Sequence, residues 1–94
     1  MHNLEDVDRL IHEPARLVIV TILYSVDQAD FIYLLRETGL TRGNLSTHLT
    51  RLEEAGYIRI DKSFKGKIPQ TLCRLTEVGR HAFETYRGWL RQFV

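Results

Sequence analysis

Apolar residues recur at helical spacing along the first 40 positions of the chain. Residues 4–11 carry an apolar face whose spacing predicts a short helix. That face is formed by Leu4, Val7, Leu10 and Ile11. Residues 14–25 begin with a proline, which suits the first turn of a helix, and are apolar nearly all round, which predicts a central core helix. Asp30 is a candidate N-cap for a third helix over 31–38, which we expect to end at Gly39.

The remaining pattern predicts two more helices with a β-hairpin between them. Residues 41–55 begin with a threonine suited to cap a helix and carry leucines at i, i+4 and i+7, so they predict a helix. Residues 57–62 alternate apolar and polar side chains and predict a half-buried strand, with 70–75 as its return strand. The connection 63–69 contains a glycine and a proline and is expected to be an exposed hairpin loop. A last helix is predicted from 76 to about 93.

This order of elements predicts a single domain over residues 1–94. Three helices, a turn and a further helix, followed by a hairpin and a closing helix, form the order of a tri-helical core with a wing. The expected fold class is therefore mainly α with a small β-hairpin wing, a winged helix-turn-helix. In that fold 41–55 is the recognition helix and 62–69 is the wing.

The net charge of +1 is almost neutral, but the charges are distributed unevenly along the chain. Residues 38–52 contain no acid but include Arg42 and Arg51, and residues 62–76 again contain no acid. The basic residues of the second window are Lys62, Lys65, Lys67 and Arg74. Two basic windows, one on the predicted recognition helix and one on the wing, are typical of a nucleic-acid-binding surface.

The predicted recognition helix has a face of short polar and basic side chains opposite its leucine stripe. A helix that enters a major groove about 12 Å wide needs small side chains for close approach, hydroxyl and amide groups for base edges, and arginine for guanine or phosphate. The candidate DNA-binding residues on this helix are Thr41, Arg42, Gly43, Asn44, Ser46, Thr47, Thr50 and Arg51. On the wing, Lys62, Lys65 and Lys67 are candidates for phosphate or minor-groove contact, although lysines also protect exposed hairpin edges.

Three motifs carry a resemblance to a known family. They are Leu-Ser-x-His-Leu-x-x-Leu-Glu-x-Ala-Gly-Tyr-Ile over 45–58, Lys-x-Phe-x-Gly-Lys-x-Pro-x-Thr over 62–71, and Leu-Thr-x-x-Gly-Arg over 75–80. Together they resemble the winged helix transcriptional regulators of the MarR and ArsR type, closest to the compact single-domain winged-helix DNA-binding group of prokaryotes. The resemblance covers 14–86. It implies a homodimer on double-stranded DNA with a pseudo-palindromic operator, contacted by 42–51 and the wing lysines.

The last predicted helix carries more apolar surface than one small core needs. A helix of about 17 residues is roughly 25 Å long, so much of its aromatic face lies beyond the tri-helical body. We expect a two-fold partner to bury this face, with the N-terminal helix as the second dimerisation element. The candidate dimer-interface residues are Leu4, Val7, Leu10, Ile11, Phe83, Tyr86, Trp89, Leu90 and Phe93. The alternative is that the last helix folds back on its own core.

Few residues suggest other chemistry. In the resembling family the residue at His48 braces the recognition helix rather than reading bases, and Cys73 is interpreted as a small buried hydrophobe rather than a sensor thiol. His81 and Glu84 lie one turn apart but are at most half of a metal site, so no metal or other cofactor is expected. No grouping of nucleophile, base and carboxylate stands out, so we expect no enzyme.

Two other functions compete with double-stranded DNA binding. One is a winged-helix adaptor that binds proteins and not DNA, against which the acid-free recognition face argues. The other is a binder of single-stranded nucleic acid or RNA, which would need exposed aromatic residues for base stacking. The wing offers only Phe64, which is expected to pack.

The chain carries no recognisable targeting or membrane segment. Residues 1–13 are acid-rich, the opposite of a secretory leader, and the apolar run 15–26 is too short to span a bilayer. A single cysteine agrees with a reducing compartment. We therefore expect a cytoplasmic protein without membrane contact, and no spacing pattern predicts a small-molecule effector.

Overall fold

The computed structural model describes residues 3–94 of the protein. A short 3₁₀ turn at Leu4–Asp6 precedes four helices and three strands. In chain order these are α1 (Pro14–Ser25), β1 (Ala29–Asp30), α2 (Phe31–Thr38), α3 (Arg42–Glu54), β2 (Ile58–Lys65), β3 (Ile68–Leu75) and α4 (Glu77–Leu90). The expectation of a mainly α fold with a β-hairpin wing is confirmed.

Side-chain caps set the beginnings of the helices. The Asp30, Thr41 and Thr76 side chains accept hydrogen bonds from the amides three residues on, at 2.7, 3.1 and 3.0 Å. Each bond satisfies an amide that has no partner within its helix. Gly39 ends α2 with a φ of 70°, a left-handed conformation that glycine adopts without a Cβ clash. The caps predicted at Asp30 and Thr41 and the predicted end of α2 are confirmed.

The core surrounds α1, which packs against α2, α3, α4 and β3. A helix covered on several sides has little room for polar residues, which explains its nearly uniform apolar sequence. The buried core residues are Ile11, Ile19, Val20, Leu23, Ala29, Leu34, Leu45, Leu49, Leu52, Ile58, Cys73, Phe83 and Tyr86. The prediction of a central core helix is therefore confirmed.

The hairpin is longer than the sequence predicted. The sheet is antiparallel in the order β1-β3-β2, and β2 pairs with β3 from Ile58 opposite Leu75 to Lys65 opposite Ile68. The expected loop over 63–69 is wrong, because most of these residues continue the two strands. Every residue from 62 to 69 is exposed, so burial does not alternate along this part of the hairpin. The alternation of apolar and polar residues that predicts a half-buried strand is therefore missing here. Strand β1 has two residues, too few for a sequence pattern.

The predicted helix over 4–11 is wrong. The Asp8 side chain instead accepts hydrogen bonds from the amides of Leu10 and Ile11 at 3.0 and 3.1 Å, which holds the segment in turns. The hydroxyl of Tyr57 donates to the other Asp8 oxygen at 2.6 Å. Burial, followed by this bond to Asp8, raises the pKa of Tyr57 to about 12, so the phenol keeps its proton. The turns bring Ile11 into the core, where it is fully buried.

The same N-terminal segment also contacts α4. The indole nitrogen of Trp89 donates to the carbonyl of Asn3 at 3.0 Å, and the His12 Nδ1 and Tyr86 hydroxyl lie 2.9 Å apart. The segment therefore packs against its own protomer along much of its length.

Helix α4 begins in close contact with the base of the wing. A Cβ at Gly79 would overlap the carbonyl oxygen of Tyr57, so this position admits only glycine without a shift of backbone. The second glycine of α4, Gly88, is exposed, and a Cβ there would meet no other part of the protein within 4 Å.

These two glycines allow a matched test of the contact. We expect Gly79→Ala to lower the free energy of unfolding by about 1–3 kcal/mol through overpacking. Gly88→Ala should raise it by up to about 1 kcal/mol, because alanine favours the helix. Urea unfolding of both variants measures the difference. Equal stabilisation by both substitutions would contradict the close approach at Gly79.

Candidate nucleic-acid interface

Helix α3 presents one buried face and one exposed face. Leu45, Leu49 and Leu52 are buried in the core. The candidate residues of the helix are all exposed: Thr41, Arg42, Gly43, Asn44, Ser46, Thr47, Thr50 and Arg51. The helical period of 3.6 residues places these residues away from the leucine stripe and towards solvent. A ligand as large as a nucleic acid can therefore approach this face.

The exposed face of α3 is shallow and rich in hydroxyl groups. Gly43 carries no side chain, and the hydroxyl of Thr47 donates to the Gly43 carbonyl at 3.0 Å, which leaves the threonine oxygen able to accept. At the start of the helix the guanidinium of Arg42 lies 5.8 Å from the centre of the Phe31 ring. This cation–π contact holds Arg42 beside α2, with its donors available at the surface.

A groove runs between α3 and the wing. Ser46 and Thr50 line it from α3, and Lys62 and Thr71 line it from the hairpin. Glu53 also lines this groove and contributes a carboxylate near the C-terminal end of α3. Residues from the two acid-free windows of the sequence thus lie on either side of one groove, and Lys62 is the basic side chain among its lining residues.

The wing projects beyond the body of the protein. Lys62, Lys65 and Lys67 are all exposed, as expected for the basic window. Phe64 is 71% exposed, so the expectation that it packs is wrong. The ring lies beyond the buried part of the hairpin, because every residue from 62 to 69 is exposed. Ile68 is 68% exposed, a second apolar side chain that the sequence reasoning did not single out.

His48 lies on the half-buried flank of α3 and faces α1. Its Nδ1 is 3.1 Å from an Nη of Arg16, whose Nε donates to the carbonyl of Leu10 at 2.6 Å. A guanidinium can only donate, so the Nδ1 of His48 is the acceptor. The contact supports the bracing interpretation of His48. The role of Arg16 as the partner of His48 was not predicted, because a single arginine within an apolar run gives no indication of the residue that it contacts.

Cys73 lies in the core, and Glu84 of the candidate metal pair makes a hydrogen bond within the protein. Cys73 is fully buried, and its pKa is raised to about 11, first by burial and then by the carboxylates of Glu53, Asp30 and Asp61. The carboxylate of Glu84 accepts a hydrogen bond from the Tyr24 hydroxyl at 2.8 Å. Within residues 3–94 no group of three or more histidine, cysteine, aspartate or glutamate side chains is placed to hold a metal ion.

The candidate dimer residues divide into two groups. Ile11, Phe83 and Tyr86 are buried in the core of their own protomer, so the expectation that they form a partner surface is wrong. The first half of α4 folds back on its own body, as the alternative had it. The others are half-buried or exposed at the surface: Leu4, Val7, Leu10, Trp89, Leu90 and Phe93. Val78, 60% exposed, adds an apolar side chain on α4.

Three helices packed together, with α3 exposed beside a two-stranded wing, define a winged helix-turn-helix protein. A profile of the winged helix DNA-binding domain family matches residues 15–94. The chain is also 37% identical, over 79 residues, to an uncharacterised protein of Methanocaldococcus jannaschii, covering 83% of this chain and 85% of that relative. The chain belongs to the winged helix DNA-binding domain family.

Solved structures agree with this assignment. The transcriptional regulator homologue from Pyrococcus horikoshii OT3 superposes with a TM-score of 0.85 at 26% identity, covering 90% of this chain and 84% of that chain. A PadR family transcriptional regulator from Eggerthella lenta DSM 2243 shares the fold with a TM-score of 0.62 at 21% identity, covering 89% of this chain and 82% of that chain. The resemblance to prokaryotic winged-helix regulators is confirmed. Among the described helices, none has the length and apolar character needed to cross a membrane.

The raised pKa of Cys73 leads to a test of the buried-thiol interpretation. With a pKa of about 11, only about one thiol in a thousand is ionised at pH 8, and the thiolate is the reactive form. The Cys73 side chain is also fully buried, so a disulfide reagent cannot reach it, and we expect no labelling of the folded protein over an hour and full labelling in denaturant. Rapid labelling of the folded chain would instead favour a redox role.

Proposed function

We propose that this protein is a transcriptional regulator that binds double-stranded DNA sequence-specifically, with α3 in the major groove and the wing on the backbone or in the minor groove. The observation that carries the proposal is the groove between α3 and the hairpin, where the polar face of the helix lies alongside Lys62. A duplex presents base edges and phosphates next to each other, and this surface offers groups for both.

The exposed face of α3 has the size and chemistry that a major groove admits. Hydroxyl groups at Ser46, Thr47 and Thr50 can reach base edges or phosphates, and Arg51 can bind guanine in a bidentate manner. The absence of side chain at Gly43 allows the helix to approach closely. An ordinary solvated helix face more often carries interspersed glutamate and lysine side chains. In α3 the acidic residues are Glu53 and Glu54, both at the end of the helix.

The wing supplies the sequence-independent part of the binding. Lysine side chains on an exposed hairpin neutralise phosphates and release counterions, so their contribution falls as salt rises. Lys62, Lys65 and Lys67 are all exposed, and the chain contains no acidic residue from 62 to 76. The wing thus complements the charge of a duplex whose major groove is occupied by α3.

A homodimer completes the proposal. Leu4 and Phe93 are 65% and 43% exposed, and the half-buried Trp89 ring lies 4.9 Å from the ring of Phe93. A second copy could cover this apolar surface through a two-fold contact. Two recognition helices would then address half-sites about 34 Å apart on a pseudo-palindromic operator. Such a protein acts on chromosomal DNA in the cytoplasm and needs no catalytic group.

The main test is a fluorescence-anisotropy titration with two duplexes. One duplex comes from upstream of the protein's own coding sequence and the other has the same composition in scrambled order. We expect tighter and salt-dependent binding to the upstream duplex, because α3 reads bases while the wing binds phosphates. Absence of binding to either duplex at low salt would favour the protein-interaction adaptor instead.

Within that assay the Lys65→Ala variant isolates one phosphate contact. We expect it to weaken binding evenly across sequences and to reduce the slope of log K against log salt by about one. Arg91→Ala removes an exposed positive charge from the end of α4, outside both basic windows, and serves as the control with an unchanged slope. An unchanged slope for Lys65→Ala would reject the role assigned to Lys65.

The dimer has its own test. We expect sedimentation equilibrium to show a dimer at micromolar concentration, and Phe93→Ser to shift it towards the monomer. Ile68→Ser removes an exposed apolar side chain of the wing instead, and should leave the association unchanged. A stable wild-type monomer, or equal effects of the two substitutions, would remove the proposed interface.

A further inference from the structure

The tip of the wing exposes apolar side chains that no part of the fold covers. Phe64 and Ile68 are 71% and 68% exposed, more than any other described large apolar residue except the terminal Val94. Burial of such side chains is favourable, so exposed apolar residues next to a functional surface are candidates for a contact with a partner. The lysines assigned to phosphate binding leave these two residues unexplained.

The register of the hairpin places Phe64 on the face that continues the groove beside α3. Side chains alternate along a strand, so Phe64 shares its face with Lys62, which lines that groove. Pro69 lies directly opposite Phe64 on β3 and belongs to the same face. Phe64 and Pro69 therefore form an apolar tip, about two residues beyond the part of the groove that Lys62 and Thr71 line.

Ile68 lies on the other face of the hairpin. It is paired with Lys65, and it lines a second groove together with Ile32 and Arg42. This groove adjoins the first one, because Phe31 and Thr71 line both. The two exposed apolar residues of the tip thus point in different directions. The face of Phe64 continues the groove that Ser46 and Thr50 of α3 line, whereas the groove of Ile68 meets α3 at Arg42, the first residue of that helix.

The charges around the tip identify its partner. Lys62 shares the face of Phe64, Lys65 follows it on the opposite face, and Lys67 lies in the turn of the hairpin. No acidic residue occurs from 62 to 76. A protein surface that receives an apolar side chain does not require three positive charges around it, whereas the minor groove of a duplex has a phosphate backbone on both sides. The combination of an apolar side chain with flanking lysines therefore fits DNA.

We propose that Phe64, supported by Pro69, is an apolar wedge that enters the minor groove next to the major groove occupied by α3 and bends the duplex. The inference rests on the DNA binding proposed above and deepens it. An apolar side chain inserted at a base step partly unstacks it and bends the helix by roughly 20–90°. Pyrimidine–purine steps unstack most easily, so the wedge adds a sequence preference at a position that α3 does not contact.

The test measures bending and affinity in the same complexes. A duplex of about 30 base pairs that carries the upstream sequence is labelled at its two ends, and energy transfer reports the distance between them with and without protein. We expect the wild-type protein to shorten this distance. Phe64→Ala should abolish most of the shortening and weaken binding about tenfold, because a buried phenyl ring is lost from the complex.

Two further variants control for size and for general loss of apolar surface. Phe64→Leu keeps an apolar wedge and should retain most of the bend. Ile68→Ala removes an equally exposed apolar residue from the opposite face and should bend the bound duplex as the wild type does.

The outcomes separate the wedge from the proposed function. Wild-type binding with a bend that Phe64→Ala retains, or that Ile68→Ala loses equally, overturns the wedge and leaves DNA binding intact. A bend unaffected by Phe64→Ala together with a loss of self-association would assign the tip to contacts between copies and also overturn it. Failure of the wild-type protein to bind any duplex overturns both proposals at once.

Discussion

The carbonyl group of Tyr57 joins the recognition helix, the wing and the last helix. The amide of Thr76 donates to it at 3.0 Å, the Thr76 hydroxyl lies 2.6 Å from the Gly56 carbonyl and 3.1 Å from that of Tyr57, and Gly79 packs directly against it. Tyr57 follows α3 and precedes β2, whereas Thr76 follows β3 and precedes α4. These contacts close the hairpin at its base, so the direction of the wing relative to α3 depends on them.

Two side chains tie the irregular N-terminal segment to this frame. The hydroxyl of Tyr57 reaches Asp8, and Arg16 bonds both the Leu10 carbonyl and the inner flank of α3 at His48. The segment thereby becomes part of the support of α3 and of the wing base, although it forms no long helix. Hydrogen bonds to half-buried charged groups stabilise by about 1.5–3 kcal/mol, enough to fix a segment that buries few residues.

Features that depend on near neighbours in the chain could be predicted from the sequence. The caps at Asp30 and Thr41 and the two faces of α3 depend on residues within about one turn, and the structure agrees with them. The burial of Ile11 could not be predicted, because it depends on Asp8 meeting a tyrosine 49 positions away. The same holds for the direction of Phe64, which follows from a strand register that the sequence alone did not define.

The wing residues can be explained by two requirements, the protection of an exposed strand edge and the proposed binding of DNA. The apolar residues of the wing separate these two explanations. An exposed hairpin must avoid pairing with other chains, and lysines at its edge and a proline without an amide hydrogen both achieve this. Lys62, Lys65 and Pro69 would therefore be useful in a wing that binds nothing. Phe64 works against that protection, since an exposed aromatic ring on a strand promotes association. The proposed contact with DNA accounts for both features, because it gives the ring a surface that receives it and the lysines the negative charge of the phosphates.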